Sequence, residues 1–416
     1  MSPLATREAA PPLHPHAPPA KTVAEFFAGI GLMRLGLEQA GWTTLFANDI
    51  EEEKAAMYRM HFHAGFKELA VGDIHHLRAN DIPTVALATA SFPCNDLSLA
   101  GARAGLEGNQ SSAFWGFIRI LREMGKRKPP VVLLENVTGF LSSKGGADFE
   151  AALVALNDLG YCVDAFIINA AHFVPQSRQR LFVVGKLGAP ASTTPAKKPD
   201  SWISEIRPKA LSQFIDEHSA IRWDIRPLPP LPILKHRLDD LLEDLSDNDG
   251  AWWSKDRVDY LVGQMSPRHR TLADAMRFPK RWSYGTIFRR VRKGCSMAEL
   301  RTDGIAGCLR TPRGGSGRQI LFKAGYDRFM ARLLSGRECA RLMGAEDFLI
   351  GASLNQTLFG FGDAVCVKVI EWIANHYLNP VFEERAGDLR ERKDLNPLPG
   401  ERAERHSRKK RPASAM

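Results

Sequence analysis

Cysteine is scarce in this chain. Its 416 residues hold only six, namely Cys94, Cys162, Cys295, Cys308, Cys339 and Cys366. No two form a Cys-x-x-Cys pair, which argues against a structural zinc site, and their scatter along so long a chain argues against a disulfide framework. A reducing, cytoplasmic setting is the expectation. Long hydrophobic runs are also missing. Nothing approaches the ~18 uninterrupted apolar residues of a membrane span, so no membrane partner is expected. The N-terminal "PPLHPHAPPA" is Pro- and Ala-rich and has no apolar run of the secretory kind. No internal repeat is found. His61 with His63, and His75 with His76, lack nearby Cys or acidic ligands at a metal-binding spacing, so no metal is expected.

What is present is a globular composition, 44% hydrophobic and 25% charged. The length exceeds that of a usual single domain and favours two. Net charge is +9 and the sequence pI about 9.3. That balance suits a phosphate-rich partner without establishing one.

Residues 1–20 read as a flexible tail, because Pro and Ala without periodicity cannot bury a face. Residues 21–186 alternate apolar strands with amphipathic helices, the pattern of an α/β domain built on a parallel sheet covered on both faces. Within it "TVAEFFAG", "TTLFANDI", "VALATASFPC", "VVLLENV", "CVDAFIINA" and "RLFVVGK" read as strands. Residues 187–300 are rich in Pro, Trp and charge with little periodicity, and a smaller, irregular domain is read there. Trp252 and Trp253 are read there as packing residues, with stacking on a ligand as the alternative. Regularity returns in "SGRECARLMG" and over 353–380, and 381–416 forms a basic tail expected to be mobile.

In open parallel sheets, ligands gather at the carboxyl ends of the strands. There lie Phe27-Ala28-Gly29-Ile30-Gly31, then Asp49, Asp73, Pro93-Cys94 and Glu135-Asn136. The Gly turn lets backbone approach a ligand, or is only a tight turn. Asp49 reads as an acceptor for ribose hydroxyls or as the N-cap of the next helix, and Asp73 is open in the same way. Cys94 is either a small buried hydrophobe or, in the polar loop "SFPCNDLS", a nucleophile. Glu135 ends a wholly apolar strand, where desolvation should raise its pKa and let it carry a proton. In "VPQSRQRLF", Gln176 precedes Arg178 and Arg180, which alternation places on one side; they suit phosphate and base contacts or plain surface solvation.

These residues, in this order, resemble the cytosine-5 DNA methyltransferases of bacteria and phages. The likeness spans most of residues 22–377 apart from the middle of the small domain. It implies a Rossmann-like S-adenosylmethionine-dependent methyltransferase sheet with a smaller DNA-recognition domain. On that likeness "FFAGIGLMRLGLEQAGW" binds the methionine part of the cofactor, with Leu32 beside the Gly turn; "FANDI" supplies Asp49 and Ile50 for the ribose; "GDI" supplies Asp73 and Ile74 for the adenine. "SFPCNDLSLAGARAGL" makes Cys94 the nucleophile, with Pro93 along the cofactor. "ENVTGF" carries the acid role onto Glu135, with Asn136 near the base. "QSRQR" puts Gln176, Arg178 and Arg180 around the target base. "LSGRECARLMG" resembles the element that orients the recognition domain. "LFGFGDAV" resembles the late segment that returns to the cofactor pocket with Ala364 and Val365. The chain departs from the common pattern at Asn95, Leu97 and Asp363.

The likeness implies a catalytic domain over 21–186, a target-recognition domain with its orienting element over 187–352, and a segment over 353–380 that rejoins the catalytic domain. It implies methyl transfer to C5 of a flipped cytosine in double-stranded DNA through a covalent Cys94 adduct, in a restriction-modification system or as an orphan methylase. "RFPKRWSYGTIFRRVRKG" and "TPRGGSGRQ" are the expected DNA contacts, with Arg310 and Arg313 among them. A monomer, with or without a cognate restriction endonuclease, acting in the cytoplasm of a bacterial or phage-infected cell near the nucleoid, completes the expectation. The alternatives are a tRNA cytosine-5 methyltransferase and a catalytically silent DNA-binding regulator or partner subunit.

Overall fold

Apolar runs broken by amphipathic segments need a sheet buried on both faces, and the chain builds one of seven strands. A computed structural model describes residues 20–63, 68–93, 113–188, 202–292, 294–311 and 317–395. The strands are β1 (Thr22–Phe26), β2 (Thr43–Asp49), β3 (Leu69–Val71), β4 (Leu87–Ala90), β5 (Val131–Val137), β6 (Tyr161–Asn169) and β7 (Gln179–Leu187). Helices α1 (Leu32–Gln39), α2 (Glu52–Phe62), α3 (Ala113–Met124) and α4 (Ala147–Asp158) lie between them. The spatial order is β3-β2-β1-β4-β5-β7-β6.

The sheet is not wholly parallel, as the alternation had suggested. β7 pairs antiparallel with both β5 and β6. The reason is the short 170–178 connection, which has no room for the crossover helix that a parallel return requires. On β5, alternate residues serve two cores: Val131 and Leu133 pack with Phe182 and Val184, while Val132 and Leu134 pack with Leu181 and Val183 on the other face.

The region expected to be irregular carries a second sheet. Helices α5 (Lys209–Glu217), α6 (Lys255–Gly263) and α7 (Pro267–Arg277) precede strands β8 (Ser283–Arg292), β9 (Cys295–Arg301), β10 (Ile320–Gly325) and β11 (Arg328–Leu333). These four strands pair antiparallel in the order β11-β10-β8-β9. Val258, Leu261, Ala273 and Met276 of α6 and α7 bury its inner face with Ile287, Leu300, Phe322 and Ala331. Arginines crowd the C-terminal half of β8 and hide its alternation in the sequence.

Packing also departs from the boundary drawn at 187. Leu211, Phe214, Ile215 and Trp223 belong to one core of the large sheet, and Ile206, Leu231 and Leu238 to the other. Arg207 seals this wrap, its Nη2 donating to both carboxylate oxygens of buried Asp164 at 2.8 and 2.9 Å. Trp252 is half-buried against the first core and Trp253 against the small sheet, in keeping with a packing role.

After β11, α8 (Gly336–Leu342) begins with a capping box in which Ser335 and Glu338 cap each other's backbone N–H. Glu338 also takes two hydrogen bonds from buried Arg332, at 2.7 and 2.5 Å, which ties the small sheet to this helix. α9 (Leu354–Asp363), α10 (Val367–Ile373) and α11 (Asn379–Leu395) then return to the large sheet. The return is fixed by core contacts of Val367, Ile370 and Leu378 with Leu32 and Leu37, and by Trp42 Nε1 donating to Asn379 Oδ1 at 2.9 Å. Residues 381–395, expected in the mobile tail, are helical. Among the described residues no helix is long and apolar enough to cross a membrane, and no cluster of His, Cys, Asp and Glu could hold a metal.

Candidate active site and cofactor edge

β1 runs out into a turn of unusual backbone. Phe27, Gly29 and Gly31 have φ of +58, +57 and +86°. At Gly29 the place a Cβ would occupy has nothing within 4 Å, so the turn opens a cradle against bare backbone. The Gly29 N–H donates to Asp49 Oδ2 at 2.7 Å, and the Glu51 N–H donates to Asp49 Oδ1 at 2.8 Å. Asp49 is therefore not the cap of α2, which falls at Glu51; it is the acid that holds the turn. Burial raises its pKa, against the backbone N–H donors and Lys54. Beside it Ile50 is 62% exposed, an apolar surface left open. Asp73 caps the short helix Ile74–His76, its Oδ1 accepting from the His75 N–H at 2.9 Å.

The other expected cofactor residues divide. Ile30, Leu32, Ile74 and Val365 are buried core side chains and reach the edge only through backbone. Phe27, Ala364 and Pro93 are half-buried at the rim, and Ala28 is buried beneath it. Open backbone, an acid at the second strand end and an exposed apolar side chain together fit an adenosyl-type cofactor.

One residue here escaped the sequence reading. Glu25 lies beneath the turn, 1% exposed; its Oε1 accepts from the Arg34 N–H at 3.3 Å and its Oε2 has no partner among the described residues. Burial, against the opposing Arg34, pushes its pKa up to about 8. The signal was available: a lone acid inside an apolar strand, the same pattern that flagged Glu135. Its folded pKa lies above its unfolded value, so its stability contribution is full below about pH 4.5 and is lost as pH rises through about 8. Glu25→Gln should therefore melt well above the parent at pH 9, by on the order of 4 kcal/mol, with the gap closing towards pH 5. Calorimetric melting at both pH values measures it; a pH-independent gap would refute the buried, proton-holding carboxyl.

Glu135 sits at the end of β5, buried, with Arg180 Nε 2.9 Å from its Oε1. The register explains the pair: Glu135 faces Phe182 and Val137 faces Arg180, so the two side chains share one face, one step apart. Burial raises the Glu135 pKa, opposed by Arg180, Arg178 and a hydrogen bond with Ser91. Next to it Asn136 Nδ2 donates to Phe92 O at 3.2 Å. The end of β5 thus grips Ser91 and Phe92, the residues that lead through Pro93 into Cys94. Cys94 itself, like Arg313, lies outside the described residues. Asn136 was expected near the base; in the fold its amide tethers Phe92.

Gln176 and Arg178 also differ from expectation. Gln176 is fully buried; its Nε2 donates to Leu342 O at 2.7 Å and its Oε1 accepts from the Leu309 N–H at 3.0 Å. Arg178 is 2% exposed, and its guanidinium donates to Leu309 O at 2.9 Å, Gly362 O at 3.1 Å and Ala364 O at 2.5 Å. Both side chains bind backbone from three parts of the chain rather than facing open space. Arg178→Met would take the guanidinium donor from all three carbonyls; we expect a loss of about 3 kcal/mol in denaturant unfolding, where an unchanged midpoint would refute the clamp.

Arg310 is exposed and stacks over Phe288 at 5.2 Å. With Arg290, Arg301, Cys308 and Gln319 it lines a cleft of about 270 Å³ on the small sheet. Burial raises the Cys308 pKa, but Arg178, Arg180 and Arg310 more than offset this and hold the thiol below its ordinary value.

Solved structures share this Rossmann-like fold. Dnmt2 methyltransferase of S. pombe superposes with a TM-score of 0.57 at 19% identity, covering 86% of this chain and 99% of that one. A putative DNA modification methyltransferase encoded within an E. coli prophage gives 0.52 at 18%, covering 86% and 99%. Residues 21–379 match the family described as C-5 cytosine-specific DNA methylase, and the chain belongs to that family. Type II methyltransferase M.DsaV of Dactylococcopsis salina is 30% identical over 359 residues, 85% of each chain. M.HhaI of Haemophilus parahaemolyticus is 28% identical over 357 residues, 84% of this chain and 92% of the relative. M.Bsp6I of Bacillus sp. is 34% identical over 166 residues, 39% of this chain and about half, 51%, of the relative. The protein is a DNA (cytosine-5-)-methyltransferase of a family that uses S-adenosylmethionine.

Proposed function

We propose that this chain methylates C5 of a flipped cytosine in one specific duplex sequence, with Cys94 as nucleophile and Glu135 as acid. The observation that carries the reading is Glu135, buried at the end of β5 and hydrogen-bonded to Ser91, a short step before Cys94. Phe27, Gly29, Asp49, Ile50, Asp73 and Ala364 would hold S-adenosylmethionine along the sheet edge. When bound, that cofactor supplies a methyl group on a sulfonium.

Cytosine C5 is a weak nucleophile until something adds to C6. The Cys94 thiolate adds there while Glu135 gives its proton to N3, which places electron density on C5 for methylation. A base, water in the simplest case, then removes the C5 proton. The C6–S bond breaks, the thiolate leaves, and N3 returns its proton to Glu135. The reacting atoms lie inside the duplex stack, so the base must leave it at a cost of about a few kcal/mol. Arg180 holds Glu135 in place; Gln176 and Arg178 hold the surrounding backbone. The small domain grips DNA with Arg290, Arg301 and Arg310. We place the enzyme in the bacterial cytoplasm as a monomer, in a restriction-modification system with a cognate endonuclease or as an orphan methylase.

Bisulfite sequencing of DNA from cells expressing the protein tests this reading. The expected result is cytosines protected at one recurrent sequence, and none in cells expressing Cys94→Ala. No protected sequence, or methyl transfer to tRNA alone, would overturn it.

A further inference from the structure

The cofactor edge and the DNA-facing segment are far apart in sequence, yet one line of polar contacts joins them. It starts at Thr311, whose hydroxyl donates to Asp363 Oδ1 at the end of α9. The other oxygen, Oδ2, accepts from Lys54 Nζ at 2.8 Å. Lys54 lies in the first turn of α2, its side chain 11% exposed, and also pairs with Glu51 Oε1 at 3.2 Å. Glu51 gives its N–H to Asp49, the acid that holds the Gly29 turn.

The surroundings leave this line little slack. A Cβ at Gly362 would lie 2.5 Å from Arg310 C and Thr311 N, so α9 touches the 310–311 backbone directly. Arg178 fastens the same two segments from below, through Leu309 O on one side and Gly362 and Ala364 O on the other. Burial raises the Asp363 pKa, but Lys54 and the Thr311 hydroxyl more than offset it, so the carboxylate keeps its charge. An asparagine at 363 could accept the Thr311 hydroxyl's hydrogen bond but could form no ion pair with Lys54.

We propose that Lys54, Asp363 and Thr311 form a latch that couples cofactor binding to DNA binding, with Lys54 and Asp363 as positioning residues. The inference rests on the cofactor and DNA reading above. DNA held by the small domain fixes the 309–311 backbone. Through Asp363 and Lys54 that fixes the start of α2, and with it Asp49 and the cofactor turn. By linkage, cofactor at the turn tightens DNA binding by the same factor.

The test is the affinity for S-adenosylhomocysteine, measured by calorimetry, with and without a duplex carrying the sequence that bisulfite mapping identifies. In the parent protein, DNA should tighten that affinity by about tenfold. In Lys54→Met and Thr311→Val the gain should fall to within about twofold of none. Thr311→Ser, which keeps the hydroxyl, should retain it, and Asp363→Asn should lie between. Melting temperatures within a few degrees of the parent show that each variant is folded. A tenfold gain surviving in both Lys54→Met and Thr311→Val would overturn the latch. So would weaker binding with the gain intact, since that marks a merely structural role. A parent that binds no S-adenosylhomocysteine would instead overturn the functional reading itself, and the latch with it.

Discussion

Replacing Cys94 with Ala should remove methyl transfer altogether, a fall of at least about three orders of magnitude. The reason is electronic. Without addition at C6, no group in the site can raise electron density on C5, and electrostatic help alone cannot stand in for the covalent bond. Binding of S-adenosylhomocysteine should persist, because the cradle at Gly29 and its hydrogen bond to Asp49 do not involve the 94 side chain. Labelled-methyl transfer and calorimetry on the same preparation separate the two. Measurable turnover in the folded variant would remove Cys94 from the mechanism.

Glu135→Gln should lower kcat by about 10²- to 10⁴-fold. The amide keeps a hydrogen-bond donor for N3 but cannot give up a proton. The pH profile should change as well. In the parent, activity rises as Cys94 ionises and falls again as Glu135 loses its proton, a step that burial moves above the ordinary carboxyl range. The variant should lose the alkaline descent and keep the acidic rise. A descent that survives in Glu135→Gln would assign it to another group. Arg180 complicates the residue in a useful way, because its Nε contact at 2.9 Å opposes protonation. Arg180→Met should therefore shift the descent to higher pH.

Much of this site could be read from residue order alone. A strand buried on both faces tolerates a polar residue only near its end or where a partner meets it, so Asp49 and Glu135 announced themselves within apolar runs. Glu25 carries the same signal, a lone acid one residue before the end of an apolar strand. β7 was legible as a strand but not as an antiparallel one, since direction depends on the length of a connection and on the neighbours it finds. The small sheet stayed hidden because the arginines of β8 mask its alternation.

The clearest divergence is at Gln176, Arg178 and Asn136. Their residue types suit contacts to a nucleic acid, and in sequence nothing separates an outward arginine from an inward one. The fold decides by bringing the carbonyls of Leu309, Gly362 and Ala364 around Arg178, whose buried guanidinium donates to all three. The sequence by itself determined the chemistry, because reactive residue types at strand ends follow from what a buried strand can and cannot hold. Only the tertiary structure decided which of these polar side chains hold the backbone. For Gln176 and Arg178 that choice rests on hydrogen-bond partners supplied by segments more than a hundred residues away.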